Sequence, residues 1–265
     1  MQAFDYFRAP ALADAERALQ AQPNAKLIAG GQTLIPSMKL RLNRPAALID
    51  LKGIAGLNAI ARKGDVLHIG AMATHAEIAG SPIIAAAIRG LAQVAEGIGD
   101  PQVRNCGTIG GSLANNDPAA DYPAAALALG AVLSTTKRMI AADNYFHGLF
   151  ATVDDDEIIT DIAFPIPVRF AYAKFPNPAS RFALVGVAVA QTASGIRVAV
   201  TGAGANGVFR LPEMESGLAK SFQPEALTNI RIDPSALASD IHADADYRAH
   251  LIGIMAKRAV ESALR

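Results

Sequence analysis

The sequence predicts a mixed helix-and-strand protein in two parts that divide near residue 170. Three observations carry this reading. The first part opens with a small β-α-β pattern and continues as short apolar strands and amphipathic helices. After Pro165–Pro167 the texture changes to two strand-like runs joined by a polar turn containing glycine. The chain then closes on a helical stretch, "DADYRAHLIGIMAKRAVESALR".

Taken in order, Asp14–Gln20 reads as a short helix with Ala15, Ala18 and Leu19 as its apolar stripe. "AKLIAGG" is a buried strand that stops at the pair Gly30–Gly31. "TLIPSMKLRL" follows as a helix, with Thr33 as N-cap and Pro36 tolerated in the first turn. Ala46–Leu51 is a second strand and completes the β-α-β unit. Alternation in Val66–Ile69 predicts a strand, and Thr74 with Glu77 a capping box. "SPIIAAAIRGLAQVAEGIG" predicts one buried helix, Gly107–Asp121 a glycine-rich loop, Ala124–Leu129 an alanine-rich helix and Ala131–Leu133 an apolar strand. Next come a loop, a solvated acidic turn at Asp154–Asp156, and a strand ending at Pro165. "FALVGVAVAQTASGIRVAVTGAG" is a hairpin by its spacing. The two Gly-Gly motifs are local, and no internal repeat accompanies them.

The 265 residues suffice for one large or two ordinary domains, and 51% hydrophobic with 18% charged residues fits a well-packed globular chain. Twenty-four basic residues balance twenty-four acidic ones, which gives no bulk electrostatic reason to bind nucleic acid or an anionic membrane. Zero net charge also favours permanent partner subunits over a free monomer. The single cysteine, Cys106, cannot form an internal disulfide or ligate an iron–sulfur cluster or structural zinc alone. The start lacks the order of a secretory signal, and no apolar run reaches the length of a membrane span. A cytoplasmic location is the expectation.

Gly30-Gly31-Gln32-Thr33 follows a strand and precedes a helix, a place where bare backbone can turn with positive φ and expose N–H groups to an anion. Gly107-Thr108-Ile109-Gly110-Gly111-Ser112 repeats the gesture with added hydroxyl donors. For either motif alone, a tight turn without ligand is the simpler reading. Two together point to the two phosphates of a dinucleotide, yet neither has the G-x-G-x-x-G or G-x-x-x-x-G-K-[ST] spacing of a Rossmann turn or P-loop. Asn115, Asn116, Asp117 and Asp121 follow the second motif. Asp121 can accept from ribose or ribityl hydroxyls, while Asp117 before Pro118 suits a helix cap better than a metal. The five histidines show no metal spacing, no serine sits in a nucleophile elbow, and His68 falls in an alternating strand as a structural residue. Cys106 lies beside the second motif, and a lone thiol there is more simply inert than catalytic.

Four stretches, "AGGQTLIPSMKLR", "IGAMATHAEI", "IGDPQVRNCGTIGGSLANNDPAADYPAAALALGA" and "FALVGVAVA", together resemble the FAD-binding medium subunits of molybdenum hydroxylases, the carbon monoxide dehydrogenase and xanthine dehydrogenase type. The resemblance implies an α+β fold. Residues 1–170 would be a two-subdomain FAD-binding domain of the vanillyl-alcohol-oxidase-like (PCMH) kind, with subdomains of about 1–54 and 55–170. Residues 171–265 would form a smaller C-terminal α+β domain with an antiparallel sheet. It carries cofactor contacts onto Ala29, Gly30, Gly31, Gln32, Thr33 and Leu34, and onto Thr108, Ile109, Gly110, Gly111, Ser112 and Ala114, the two pyrophosphate-binding stretches. Asp121 matches an acidic residue on the ribose or ribityl part, Ile98 and Ile159 match apolar positions near the rings, and Lys174 matches a lysine near the flavin.

Ser112 stands where many relatives carry Asn, and Thr33 where many carry Ser; each keeps a polar side chain. "TTKRMIAADNYF" lacks a common glycine-plus-arginine form, which implies a shorter hairpin, and the C-terminal domain is shorter than usual. The resemblance places a molybdenum–pterin cofactor in a large partner subunit and two [2Fe–2S] clusters in a small one, in a heterotrimer or its dimer. FAD in this chain relays electrons to an external acceptor. Substrate choice then lies in the large subunit, with CO, purines, aldehydes, N-heterocycles and aromatic CoA thioesters all open. Two other readings stand beside this one: a self-contained flavin oxidoreductase of the same fold, and a non-enzymatic adapter that has lost FAD.

Overall fold

The computed structural model describes residues 1–152 and 156–265. Of the expected acidic turn, Asp154 and Asp155 lie outside the described residues. Three sheets organise the chain. Strands β1 (Asp5–Arg8), β2 (Ala25–Ile28) and β3 (Ala47–Asp50) form a parallel sheet in the order β1-β3-β2, with Phe7 and Leu27 both in register with Ile49. Helices α1 (Leu12–Ala21) and α2 (Leu34–Lys39) make the connections, so the β-α-β unit read from the sequence is present, with an extra leading strand. Its small core gathers Ala9, Ala15, Ala25, Ala47, Ile49 and Leu51, joined by Ile158 from much later in the chain.

The second sheet is antiparallel. It contains β4 (Ile60–Lys63), β5 (Val66–Gly70), β6 (Val132–Thr135), β7 (Met139–Ala141) and, after the short pair β8 (Phe146–Gly148) and β9 (Ala151–Thr152), β10 (Ile159–Pro165). The order is β4-β5-β10-β6-β7, so β10 comes back to lie between two earlier strands. The expected capping box starts α3 (His75–Gly80): Thr74 Oγ1 accepts from Glu77 N–H at 3.1 Å, and Glu77 accepts from Thr74 N–H at 2.7 Å.

The single helix expected over Ser81–Gly99 is instead two, α4 (Pro82–Ala87) and α5 (Arg89–Glu96), broken at Ile88 with φ −142° and ψ 75°. The reason is packing. The break buries Ile88 and turns Gly90 so closely onto Phe170 that a Cβ there would meet the Phe170 carbonyl oxygen at 2.7 Å. Helices α6 (Pro101–Arg104), α7 (Ile109–Asn115) and α8 (Asp121–Leu129) complete this layer.

The third sheet is antiparallel in the order β11 (Arg169–Pro176), β12 (Ala183–Thr192), β13 (Gly195–Thr201), β14 (Phe209–Arg210), and the predicted hairpin is β12–β13. Helices α9 (Pro212–Lys220) and α10 (Ala245–Ala263) cover one face, while α8 lies against the other. Side-chain size sorts the two faces. Val187, Val189, Val198 and Val200 pack into the core under α10, whereas Ala188, Ala190 and Ala199 belong to the core of the second sheet. Small residues there let α8, itself buried along its whole length, approach the sheet closely. Thr201 Oγ1 donates to the carbonyls of Pro118 and Ala120 just before α8, and Arg197 reaches across to the Leu127 carbonyl and the Asp143 carboxylate. No helix among the described residues is long and apolar enough to cross a membrane.

Thr74→Ala removes the side-chain half of the capping box at α3. We expect a loss of about 1 kcal/mol in a denaturant unfolding curve with an unchanged slope.

Candidate functional site: a cleft between two glycine motifs

The parallel sheet and the helical layer of the second sheet face each other across a cleft of about 470 Å³. Strand β2 delivers the chain to Gly30 and Gly31. Gly31 takes φ +68°, which glycine adopts without strain, and the turn into α2 follows. Thr33 occupies the N-cap position but makes no cap through its side chain, so the hydroxyl expected to cap stays available to the cleft. Among the described residues no protein acceptor meets the amides of Gly30, Gly31, Gln32, Thr33 or Leu34. A run of unpaired N–H groups at a turn is the arrangement from which anion-binding nests are built.

The second motif is built differently. The sequence suggested a loop, but Gly110 and Gly111 lie in the first turn of α7, capped by Thr108 Oγ1 accepting from Gly111 N–H at 3.1 Å. Residues 107–110 run beside 71–75 like a strand: Ile109 N–H donates to Ala73 O, Gly110 N–H to Ala71 O, and His75 N–H to Gly107 O. Gly107 N–H is held by Val103 O. The amides of this motif are therefore mostly spent inside the protein, and only the Thr108 amide and the Ser112 hydroxyl are without a protein partner among the described residues.

The reason for the bare backbone also differs from the expectation. A Cβ on Gly30 would lie 2.2 Å from the Cys106 carbonyl oxygen and 2.6 Å from the Gly107 Cα. A Cβ on Gly107 would in turn lie 2.5 Å from His75 Nε2, and one on Gly110 would strike Ala71. These three glycines are bare because the two motifs stack on each other and on the α3 layer. Positive φ and unpaired N–H groups on the cleft belong instead to Gly31 and its neighbours.

Of the residues singled out in the sequence, Ala29 to Leu34, Ile98, Thr108, Gly110, Gly111, Ser112, Ala114, Asp121 and Ile159 all line the cleft. Two do not. Ile109 is fully buried in the core of the second sheet. Lys174 stands behind the wall, where its Nζ donates to Gly97 O at 2.8 Å and to Arg181 O and the Asp121 carboxylate at 3.1 Å each. Asp121 also accepts from the Tyr172 hydroxyl at 2.5 Å. Burial pushes the Asp121 carboxyl above the usual carboxylate range, and Lys174 and Tyr172 pull against that. Asn115 and Asp117 line the cleft, and Asp117 closes a turn onto Ala119 N–H, whereas Asn116 turns away to donate to the carbonyls of Gly148 and Ala151. No cluster of metal-ligating side chains occurs among the described residues. The Cys106 thiol is exposed and does not line the cleft; its carbonyl is what matters here. His68 pairs with Asp161 across β5 and β10, in keeping with its structural reading.

The structure adds cleft residues that the sequence did not flag. Lys26 and Arg181 contribute positive charge, and Tyr145, Phe182 and Met72 add broad apolar surface. Arg181 ties its turn to the facing wall by donating to Gly99 O at 3.1 Å. His75 lines the cleft floor beside Tyr122, and among the described residues neither its buried Nδ1 nor the Tyr122 hydroxyl has a partner. Burial, then the nearby Arg104 charge, lower the His75 pKa to about 4. A cation-flanked amide nest opening onto an apolar slot suits a phosphorylated cofactor with a planar ring.

The comparisons with known proteins agree with that geometry. Residues 2–167 match the model of the FAD binding domain in molybdopterin dehydrogenase. The chain is 35% identical over 276 residues to the nicotine 6-hydroxylase medium subunit of Paenarthrobacter nicotinovorans, covering 98% of this chain and 97% of that one. It is also 35% identical over 277 residues to the carbon monoxide dehydrogenase medium chain of Afipia carboxidovorans, covering 98% and 96%. Among solved structures, reconstituted CO dehydrogenase from Oligotropha carboxidovorans superposes with a TM-score of 0.91 at 34% identity, covering 99% of this chain and 98% of that one. Quinoline 2-oxidoreductase from Pseudomonas putida 86 gives a TM-score of 0.89 at 26% identity, covering 99% and 97%. The chain belongs to the family of FAD-binding medium subunits of the molybdenum hydroxylases, as its motifs implied.

Two outcomes follow. Gly30→Ala forces the stacked backbones apart, so thermal unfolding should show a loss of roughly 2 kcal/mol or more. For His75, the unfolded chain binds a proton between about pH 6.5 and about pH 4 that the folded chain does not. Stability should therefore fall as pH drops through that window, by about 3 kcal/mol in total. Denaturant midpoints measured across it should show a shallower pH dependence in His75→Asn than in the wild type.

Proposed function

We propose that this chain is the FAD-binding, electron-transferring medium subunit of a molybdenum-containing hydroxylase or dehydrogenase complex. The observation that carries the reading is the cleft itself, with free amides from Gly30 to Leu34, cations at Lys26 and Arg181, and an apolar slot bounded by Ile98 and Ile159. The first nest would hold the FAD pyrophosphate, with the Thr108 amide and the Ser112 hydroxyl as donors from the second motif. FAD, when bound, supplies exchange of one or two electrons between [2Fe–2S] clusters and an acceptor. The work of this chain is binding, orientation and exclusion of water. Lys174 and Asp121 act here by holding Gly97 and the Arg181 turn in place around Ile98, so Lys174 serves as a positioning residue behind the wall.

In this reading residues 1–170 form the FAD-binding domain, with PCMH-like subdomains of about 1–54 and 55–170, and 171–265 the C-terminal domain. Support comes from three hydrophobic cores, each centred on one sheet, although the second also takes in Ala188, Ala190 and Ala199 and the first Ile158. The partners are a large molybdenum–pterin subunit and a small [2Fe–2S] subunit in a cytoplasmic heterotrimer or its dimer. The single cysteine fits, because the clusters need thiolates that this chain lacks.

The purified chain should show flavin absorption bands and release FAD on denaturation. A colourless chain that takes up no added FAD would sink the proposal and leave an adapter that kept only the fold.

A further inference from the structure

Arg248, in the first turns of α10, is buried with part of its donor capacity unused. Its Nη1 donates to the carbonyls of Leu184 and Gly202 at 2.7 and 2.6 Å, and its Nη2 to the Asp240 carboxylate at 2.7 Å. Its Nε is buried and has no partner among the described residues. A guanidinium N–H shut away from water without an acceptor is costly, so the position calls for an acceptor from outside the protein. There is room for one. Arg248 lines a second cavity, of about 280 Å³, enclosed by the start of β12, the chain after β13, the segment before α10 and the β11–β12 turn.

The ion pair with Asp240 is lopsided. The Arg248 side chain is 4% exposed and that of Asp240 47%. Water therefore screens the carboxylate, which the N–H groups of His242 and Ala243 also hold, while the cation stays enclosed. The cavity sees more of the cation than of its counter-ion. The other polar side chains on its wall add donors. Asn177 Oδ1 accepts from the amides of Ala179 and Ser180, and Ser180 Oγ accepts from Phe182 N–H. That leaves the Asn177 amide nitrogen, the Ser180 O–H and the His242 ring without acceptors among the described residues. Both oxygens of Asp240 are already engaged. Free donors around a guanidinium, with no free carboxylate beside them, select a ligand group that is anionic and only accepts. Pro118, Leu149, Phe182 and Leu184 make the rest of the wall apolar, which a bare phosphate would leave uncovered. The volume lies at the small end of ligand pockets and excludes a nucleotide or a polypeptide segment.

We propose that this cavity binds a small organic acid, a carboxylate on an apolar body of about one ring, with the carboxylate on Arg248 and the body against Leu149 and Phe182. The site is separate from the cofactor cleft, and Ser180 and Phe182, which line both spaces, form the partition. The inference does not rest on the flavin reading and stands or falls without it.

The test uses the full chain with benzoate as probe. Equilibrium dialysis should show saturable binding at one site, and benzamide, the neutral isostere, should bind at least about tenfold more weakly. Added FAD should leave the benzoate affinity within about twofold, because the two ligands occupy different spaces. Arg248→Lys, which keeps a charge but removes Nε, should weaken binding at least about tenfold. If that variant fails to fold, Leu149→Glu decides, because Leu149 is half exposed at the wall and its replacement sets a like charge beside the ligand. It too should cost at least about tenfold. Four results overturn the proposal: no saturable benzoate binding, which leaves a cavity for water alone; equal affinity for benzamide; displacement of benzoate by FAD, which would put it in the cleft; or unchanged affinity in the folded variants.

Discussion

The contact on which the rest of this structure depends is a stack of backbone on backbone. Gly30 presses on the Cys106–Gly107 peptide, and Gly107 presses on the His75 ring. Nothing larger than hydrogen fits between these layers. The stack fixes the distance between the parallel sheet and the helical layer, and so the width of the cleft between them. It also explains why the amides of Gly107, Ile109, Gly110 and Gly111 are spent internally: a segment sewn to 71–75 is a rigid anvil for the opposite loop. With that side fixed, the amides from Gly30 to Leu34, on the cleft wall, remain unpaired among the described residues, which is the state an anion site requires.

A second constraint comes from α8. Every residue from Asp121 to Leu129 is buried, because the helix is a shared layer between the second and third sheets. An amphipathic helix cannot do this, and the alanine-rich composition is the answer to having two buried faces. Its first residue, Asp121, sits at the cleft and receives Tyr172 and Lys174 from β11. An uncompensated carboxylate there would be costly, and the pairing makes the depth of burial tolerable.

Much of this was legible in the sequence. The β-α-β opening, the capping box, the hairpin and the terminal helix follow from local pattern and turn chemistry, and the structure contains them all. Most residues picked for the site converge on one cleft, because glycine pairs between strand and helix announce unusual backbone demands. The physical cause assigned to them was less legible. A sequence cannot distinguish a glycine kept bare for a ligand from one kept bare for a neighbouring peptide 2.2 Å from the missing Cβ. The break at Ile88 was invisible for a similar reason, since the demand comes from Phe170, far along the chain. His75 and Arg181 carried no local signal, as their importance is a matter of which wall they reach. Lys174 was flagged only by resemblance, and its three acceptors come from Gly97, Asp121 and Arg181, which only the folded chain brings together.

Lys174 and Tyr172 lie on a strand of the third sheet, yet the group they satisfy belongs to the helix that begins at the cleft. The C-terminal part is therefore not an interchangeable module hung on a cofactor domain. A chimera joining this N-terminal part to the C-terminal part of another protein would inherit a buried acid with no cation unless both side chains travelled with the graft. The fusion point that respects sheet boundaries would thus be a poor one. A crossover placed within the β12–β13 turn, leaving β11 with its native partner, would keep the acid and its two ligands of common descent.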